Sequence, residues 1–322
     1  LGTMIFFVVE DCFLLWQVKK YVWICKPNII NNKKIRELIK LWIPLFFSNS
    51  VIQLNAIVDK AIATSLGDGN VAALSYSHFV FTSIHSIIVM NICTVSLTCF
   101  TVYIVEDNYP KLVESFQSII SILSYIMIPI SALCVIEAES IVKVLYGRGA
   151  FSEMSILLTT NALIGYSFGI AFVSIRDVTM QILYAMKKNM IAMINGVIGV
   201  VINIPLSIIL AKKIGILGIA LADSIAYLLV AIIVCIYLNE RVGHFYNLQT
   251  IVQSLLPVLF TAISLIPVIM IKLHLNNCLI LNLCFESGIF IFFYVAISIS
   301  TKNETFLKIL KYLNLRKNEP AR

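Results

Sequence analysis

Long apolar runs separated by short polar tracts make up almost the whole chain. A transbilayer helix needs about 20 mostly apolar residues. By that measure the pattern predicts nine spans, over 2–18, 38–64, 72–104, 114–136, 156–184, 190–211, 215–238, 251–273 and 279–300. Stretches such as Ile191 to Leu210 are apolar on every face, unlike the alternating strands of an outer-membrane barrel. The expected fold class is therefore an all-α polytopic membrane protein. Gly67-Asp68-Gly69-Asn70-Val71-Ala72-Ala73-Leu74 is echoed by Gly215-Ile216-Leu217-Gly218-Ile219-Ala220-Leu221-Ala222. Each opens a span after a tight turn, as repeated helix hairpins do in many transporters. From Lys302 onward, Phe306, Ile309, Leu310 and Leu313 lie at helical spacing between lysines. That tail reads either as an amphipathic helix on the membrane surface or as a solvated stop-transfer flank.

Composition strengthens this picture. Of 322 residues 60% are hydrophobic and 13% charged, with a mean hydropathy of +0.94, against roughly 25% charged in soluble domains. A soluble globular protein is excluded. The net charge of +7 lies in short tracts between apolar runs, which argues for membrane orientation and against a nucleic-acid surface. Lys19, Lys20, Lys26, Lys33, Lys34, Arg36 and Lys40 face only Glu37 in the tract between the first two spans, so that tract is expected in the cytoplasm. Alternation then puts Lys111, Lys187, Lys188, Arg241 and the tail cations on the same side, and Lys143, Arg148, Lys212, Lys213 and Lys272 on the other. The opening run, interrupted by Glu10 and Asp11, lacks the charged start and cleavage site of a signal peptide, so the chain reads as beginning within a longer helical array. Its eight cysteines include no C-x-x-C pair and read as small buried hydrophobes rather than disulfides or zinc ligands.

Ionisable residues inside the spans carry the candidate chemistry, because each costs roughly 2.5–3.5 kcal/mol near the bilayer centre. They are Asp59 and Lys60 in the second span, Arg176 and Asp177 in the fifth, Asp223 in the seventh and Glu286 in the ninth. Adjacent helix residues point about 100° apart, so Asp59–Lys60 and Arg176–Asp177 are expected to seek partners elsewhere. Glu286 is expected at the interface, and Glu106-Asp107, Glu137 and Glu139 as solvated flanks. Asn203 and Ser207 lie four apart on one helix face, one span before Asp223. Carboxylate, amide and hydroxyl oxygens suit Na⁺, and two acids also suit a proton relay; interhelical packing explains the same residues. Pro205 between them predicts a local helix break and a freed carbonyl. His78 and His85, seven apart, read as packing or cavity-lining residues. No nucleophile elbow, phosphate loop, dinucleotide-binding glycine run or zinc-protease motif occurs, so neither an enzyme nor a resident cofactor is expected.

Two sets of motifs bear a family resemblance. Val58-Asp59-Lys60-Ala61, Ser65-Leu66-Gly67 and Val71-Ala72-Ala73-Leu74-Ser75-Tyr76 resemble the start of the C-terminal lobe of the lipid II flippases (MurJ/MviN type). Val144-Leu145-Tyr146-Gly147-Arg148-Gly149-Ala150-Phe151, then Thr160, Ala162-Leu163, Tyr166-Ser167, Gly169 and Leu183-Tyr184-Ala185, are similar to that family's outer loop and following helix. The resemblance implies a division into 1–18, the last helix of an N-terminal lobe; 19–37, a cytoplasmic basic linker; 38–300, a C-terminal lobe of eight spans; and 301–322, a cytoplasmic basic tail. It further implies a multi-pass protein of the bacterial cytoplasmic membrane acting in peptidoglycan biosynthesis, and hence in cell-wall biogenesis and cell shape. The implied substrate is a polyprenyl-pyrophosphate-linked precursor such as lipid II, moved by alternating access with Na⁺ or H⁺ coupling.

By position, the resemblance puts Asp59 and Asn203 at a cation site. Ser207 stands where an acid or amide is usual, and Asp223 where a hydroxyl is usual. The family's Tyr-Ala-Asp-Arg pattern reads Tyr76-Ser77-His78-Phe79, so the arginine expected to meet pyrophosphate is replaced by Phe79. Lys60, His78 and Arg176 remain as candidate cations of a substrate cavity. The expected partners are the lipid substrate, membrane lipids, and an N-terminal lobe or a second copy. Other readings are a polysaccharide-repeat or multidrug exporter of the same fold, a half-transporter that does not itself transport, and a lipid-phosphate transferase, which would need an acidic loop cluster.

Overall fold

The computed structural model describes residues 2–18, 33–241, 243, 245–272 and 279–317. Most of the expected 19–37 linker and the last five residues of the tail lie outside them. Two compact units are distinguished, Leu1–Ile43 and Pro44–Arg322; the first carries α1 (Gly2–Val18) and the start of α2 (Lys33–Ser65).

The second unit continues α2 and adds α3 (Asn70–His85), a π-helical turn (Ser86–Met90), α4 (Asn91–Val105), α5 (Tyr109–Ile136), α6 (Ala138–Tyr146), α7 (Glu153–Ser167) and α8 (Ile170–Ala185). It ends with α9 (Asn189–Ile214), α10 (Ile216–Arg241), α11 (Leu248–Lys272), α12 (Leu279–Ser300) and α13 (Glu304–Lys317). No strand occurs among the described residues, so the all-α expectation holds. The count of nine spans is not confirmed. Six helical stretches among the described residues are long and apolar enough to cross a bilayer, or seven if α7 and α8, bent by 43°, form one span.

Turn chemistry sets the ends of the helices. Gly67, Gly69 and Gly215 have φ of 108°, 83° and 64°, values that side-chain-bearing residues resist, and they stop α2 and α9 so that α3 and α10 can turn back. The echoed motifs therefore both open a helix after a glycine of positive φ. The tail does form a helix, α13, whose Phe306 packs near Tyr125 of α5, ring centroids 6.2 Å apart.

Small residues bring α10 close to α7 and α8. A Cβ on Gly165 would sit 2.6 Å from Ala220 Cβ, and one on Gly169 2.6 Å from Ser224 Oγ. The break between α7 and α8 frees backbone carbonyls that hydrocarbon cannot satisfy. Neighbouring hydroxyls fill that need: Ser224 donates to Gly165 O at 2.6 Å and Ser131 to Ser167 O at 2.5 Å. The core beneath is aromatic and aliphatic, with Phe100, Phe116 and Phe245 fully buried. Two expectations fail here. α9 runs through Pro205 without a break; the chain bends instead at α7–α8. Cys93 and Cys134 are buried as expected, whereas Cys12 and Cys284 are exposed.

Candidate functional site

The site grows from two pairs of residues four apart. On α2, Asn55 and Asp59 share a face, and Asn55 Nδ2 donates to Asp59 Oδ2 at 2.9 Å. On α9, Asn203 and Ser207 share a face, with Ser207 Oγ 3.2 Å from Asn203 Oδ1. Asp223 of α10 joins them: Asn203 Nδ2 donates to its Oδ1 at 2.7 Å, and Asn55 Nδ2 reaches the same oxygen at 3.3 Å. Ser207 Oγ also lies in donor range of Asp59 Oδ1, at 3.2 Å. The four residues expected from sequence therefore meet, and all are buried.

Asn55 is the member that sequence reading missed. It stands four residues before Asp59, the same interval that marks Asn203 and Ser207, and that interval is the signal that could have found it. Its Oδ1 is buried with no donor. No Lys, Arg or His among the described residues lies within 4.0 Å of Asp59 or Asp223. Two buried carboxylates held by shared amides, with no cation of their own, repel each other unless a proton or a metal ion joins them. The donor set fits a hard cation: two carboxyl groups, two amide oxygens and a hydroxyl.

Two cavities flank this cluster. One, of about 360 Å³, is lined by Lys60, His78, Phe79 and Tyr166; the other, of about 340 Å³, by Arg176, Asp177, Gln181 and Asn195. Asn55, Asp223 and Tyr227 line both. Lys60 and His78 are thus brought together, while Arg176 belongs to the opposite side. Arg176 pairs with its own neighbour, contrary to expectation, although both members of the pair also reach other helices. Its Nη2 is 2.5 Å and its Nε 2.9 Å from Asp177 Oδ1, because a long flexible guanidinium can fold back over the 100° that separates adjacent helix residues. Asp177 Oδ2 stands 3.0 Å from His85 Nε2, and the Arg176 guanidinium covers the Tyr227 ring at 5.3 Å. Lys60 remains exposed, with Phe79 66% exposed beside the same cavity. One acidic flank is a second correction: Glu137 is buried rather than solvated, whereas Glu106, Asp107 and Glu139 are exposed; Glu286 is buried against the protein.

The outer-loop motif is ordered by aromatic contact. Tyr146, Phe151 and Tyr76 form a cluster with centroids 4.8–5.9 Å apart. Gly147 is required between them, since a Cβ there would meet Lys143 O at 2.4 Å.

A bundle of long apolar helices around a buried, cation-seeking oxygen cluster with a cavity on each side has the build of a membrane-transport lobe. The chain belongs to the lipid II flippase MurJ family, which it matches over residues 1–287. The probable lipid II flippase MurJ of Treponema pallidum (strain Nichols) is 23% identical over 242 residues, covering 74% of this chain and 46% of that protein. The fold is similar to that of a lipid II flippase MurJ solved in an inward closed conformation, at a TM-score of 0.73 and 21% identity, covering 92% of this chain and 61% of that one. An outward-facing multidrug resistance MATE family transporter of the MOP superfamily matches at a TM-score of 0.56 and 19% identity, over 70% of this chain and 51% of that one. The chain spans about 40–50% of the length of the curated relatives it matches. Family membership and the long apolar helices make it a multi-pass protein of the bacterial cytoplasmic membrane.

Proposed function

We propose that this chain forms the cation-coupled wall of a flippase that moves a polyprenyl-pyrophosphate-linked peptidoglycan precursor, such as lipid II, across the cytoplasmic membrane by alternating access. The observation that carries this reading is the Asp59–Asn55–Asp223 bridge, which ties α2 to α10 between two cavities. Asp59, Asp223, Asn203 and Ser207, with the free Asn55 Oδ1, would hold Na⁺, or the two acids would hold H⁺. Cation binding would draw α2 onto α9 and α10, and release would let α2 move, altering the cavity that holds Lys60 and His78. Those two residues are placed to meet phosphate oxygens in the role the family's arginine has where Phe79 now stands. No bond is made or broken in this cycle.

A wall needs an opposite wall. Rocking about a midplane site takes two bundles, so the reading includes an N-terminal lobe or a second copy facing Lys60. The test is reconstitution in liposomes, with and without a co-expressed N-terminal lobe, following a fluorescent polyprenyl-pyrophosphate glycolipid. Flipping that needs the second lobe supports the proposal. Flipping by the monomeric chain alone refutes the two-wall view, and transport of drugs but never of the glycolipid refutes the substrate.

A further inference from the structure

Away from the Asp59–Asp223 network, three ionisable side chains meet where α5 gives way to α6. Glu137, the residue at that elbow, is wholly buried. Its backbone continues both helices, accepting from Ile141 N at 2.8 Å while its own N donates to Leu133 O at 2.8 Å. Lys272, at the end of α11, donates to Ile136 O at 2.8 Å and lies 3.1 Å from Glu137 Oε1. Glu137 Oε2 is buried with no donor among the described residues. On the other side of Glu137 stands the carboxyl of Glu286 on α12, itself only 3% exposed.

Two acceptor-only carboxylates in contact repel; with one proton between them they hold each other. Charge balance leads to the same count, since one ammonium and two carboxyl groups are neutral when a single proton is retained. Other charges do not intrude. Glu139 and Lys143 of α6 pair with each other at 2.6 Å, and Glu153 at the start of α7 stands on the Lys143 side. α5, α11 and α12 carry no further Asp, Glu, Lys or Arg within two turns of the site.

We propose that Glu286 keeps a proton and offers it to the unpartnered oxygen of Glu137, and that this second proton site latches α12 to the α5–α6 elbow with Lys272 as its counter-charge. Side-chain exposure of 38% at Lys272 gives the site a route to water, on the side of the membrane that the cation pattern assigns to the exterior. With the proton bound, the closed contact is neutral. Loss of the proton leaves a buried negative charge, so the contact is kept at low pH and weakens as pH rises.

The full chain in lipid nanodiscs allows the test, by infrared spectroscopy of the protonated carboxyl stretch and by hydrogen exchange of α12 corrected for the intrinsic pH dependence. The expected result is a protonated-carboxyl band that is lost in both Glu137→Gln and Glu286→Gln and kept in Asp59→Asn. Protection of α12 in the unsubstituted chain should fall by up to tenfold per pH unit, the slope of one proton. Glu286→Gln, whose amide can donate as the protonated carboxyl does, should hold that protection constant. The proposal is overturned if the band survives both glutamine variants, if Glu286→Gln follows the original pH dependence, or if replacing Na⁺ by N-methylglucamine abolishes the effect. Should Glu286→Gln not fold, Glu137→Gln read in the same way decides it.

Discussion

Asn55 meets Asp223 across 168 positions of sequence, its Nδ2 3.3 Å from the Asp223 Oδ1. The same nitrogen serves Asp59 on its own helix, so a single amide couples the acid of α2 to the acid of α10. Any ion that binds between the acids must be sensed by both helices, which makes this bridge the point where coupling is most open to test.

Asp59→Asn and Asp223→Asn should each abolish ion-dependent thermal stabilisation of the chain in detergent. A ligand present at 100 times its Kd stabilises a fold by about 2.7 kcal/mol, and that increment should vanish in both variants while the ion-free melting temperature changes far less. Melting curves across a Na⁺ series, and across pH at constant ionic strength, separate metal from proton. Retention of the full ion effect by both variants would dispose of the site.

Asn55→Leu should destabilise the chain by about 1–3 kcal/mol, the cost of leaving buried acceptors without their donor. It should also weaken ion binding, because an oxygen is lost with the nitrogen. Isothermal titration with Na⁺ and chemical denaturation give the two numbers, and an unchanged Kd would remove Asn55 from the site.

Arg176→Met should cost about 1–3 kcal/mol, since it leaves the partly buried Asp177 carboxylate, whose side chain is 16% exposed, with only His85 beside it. The double variant Arg176→Met with Asp177→Asn should recover most of that loss, giving a coupling energy in a double-mutant cycle. Simple addition of the two single effects would show that the pair does not act as a unit.

Gly165→Ala should destabilise by about 1–3 kcal/mol through overpacking, because the new Cβ meets Ala220 Cβ at 2.6 Å and Leu217 O at 2.9 Å. Adding Ala220→Gly should restore only part of the stability, as the backbone oxygen stays in place. A neutral Gly165→Ala would mean that α7 and α10 are not so closely packed in the membrane.

Ser152→Cys in a cysteine-free background should react with an impermeant thiol reagent added outside intact cells. Ser152 follows the aromatic loop and caps α7, its Oγ accepting from Ser155 N at 3.2 Å. Labelling only after permeabilisation would invert the orientation inferred from the cations.

Hydropathy alone determined that the chain is helical and membrane-embedded, and it located α9 to α12 to within a few residues, because a bilayer penalises every polar side chain along a span. It also marked Asp59, Asn203, Ser207 and Asp223, since in so apolar a chain a buried acid stands out whatever its neighbours are. What each acid meets was not legible, because a helix face becomes a site only when another helix is laid against it. Asn55 looked like any polar residue until Asp223 of α10 came within 3.3 Å of it. Glu137 looked like a solvated flank until α12 covered the elbow. Arg176 and Asp177 were set apart by helix geometry and rejoined by the reach of a guanidinium. The break at Phe168–Gly169 was equally hidden within one apolar run, and only the approach of Ser131 and Ser224 shows how its freed carbonyls are satisfied. Solvent preference is written residue by residue along the chain, whereas hydrogen-bond partnership depends on distances that packing alone decides.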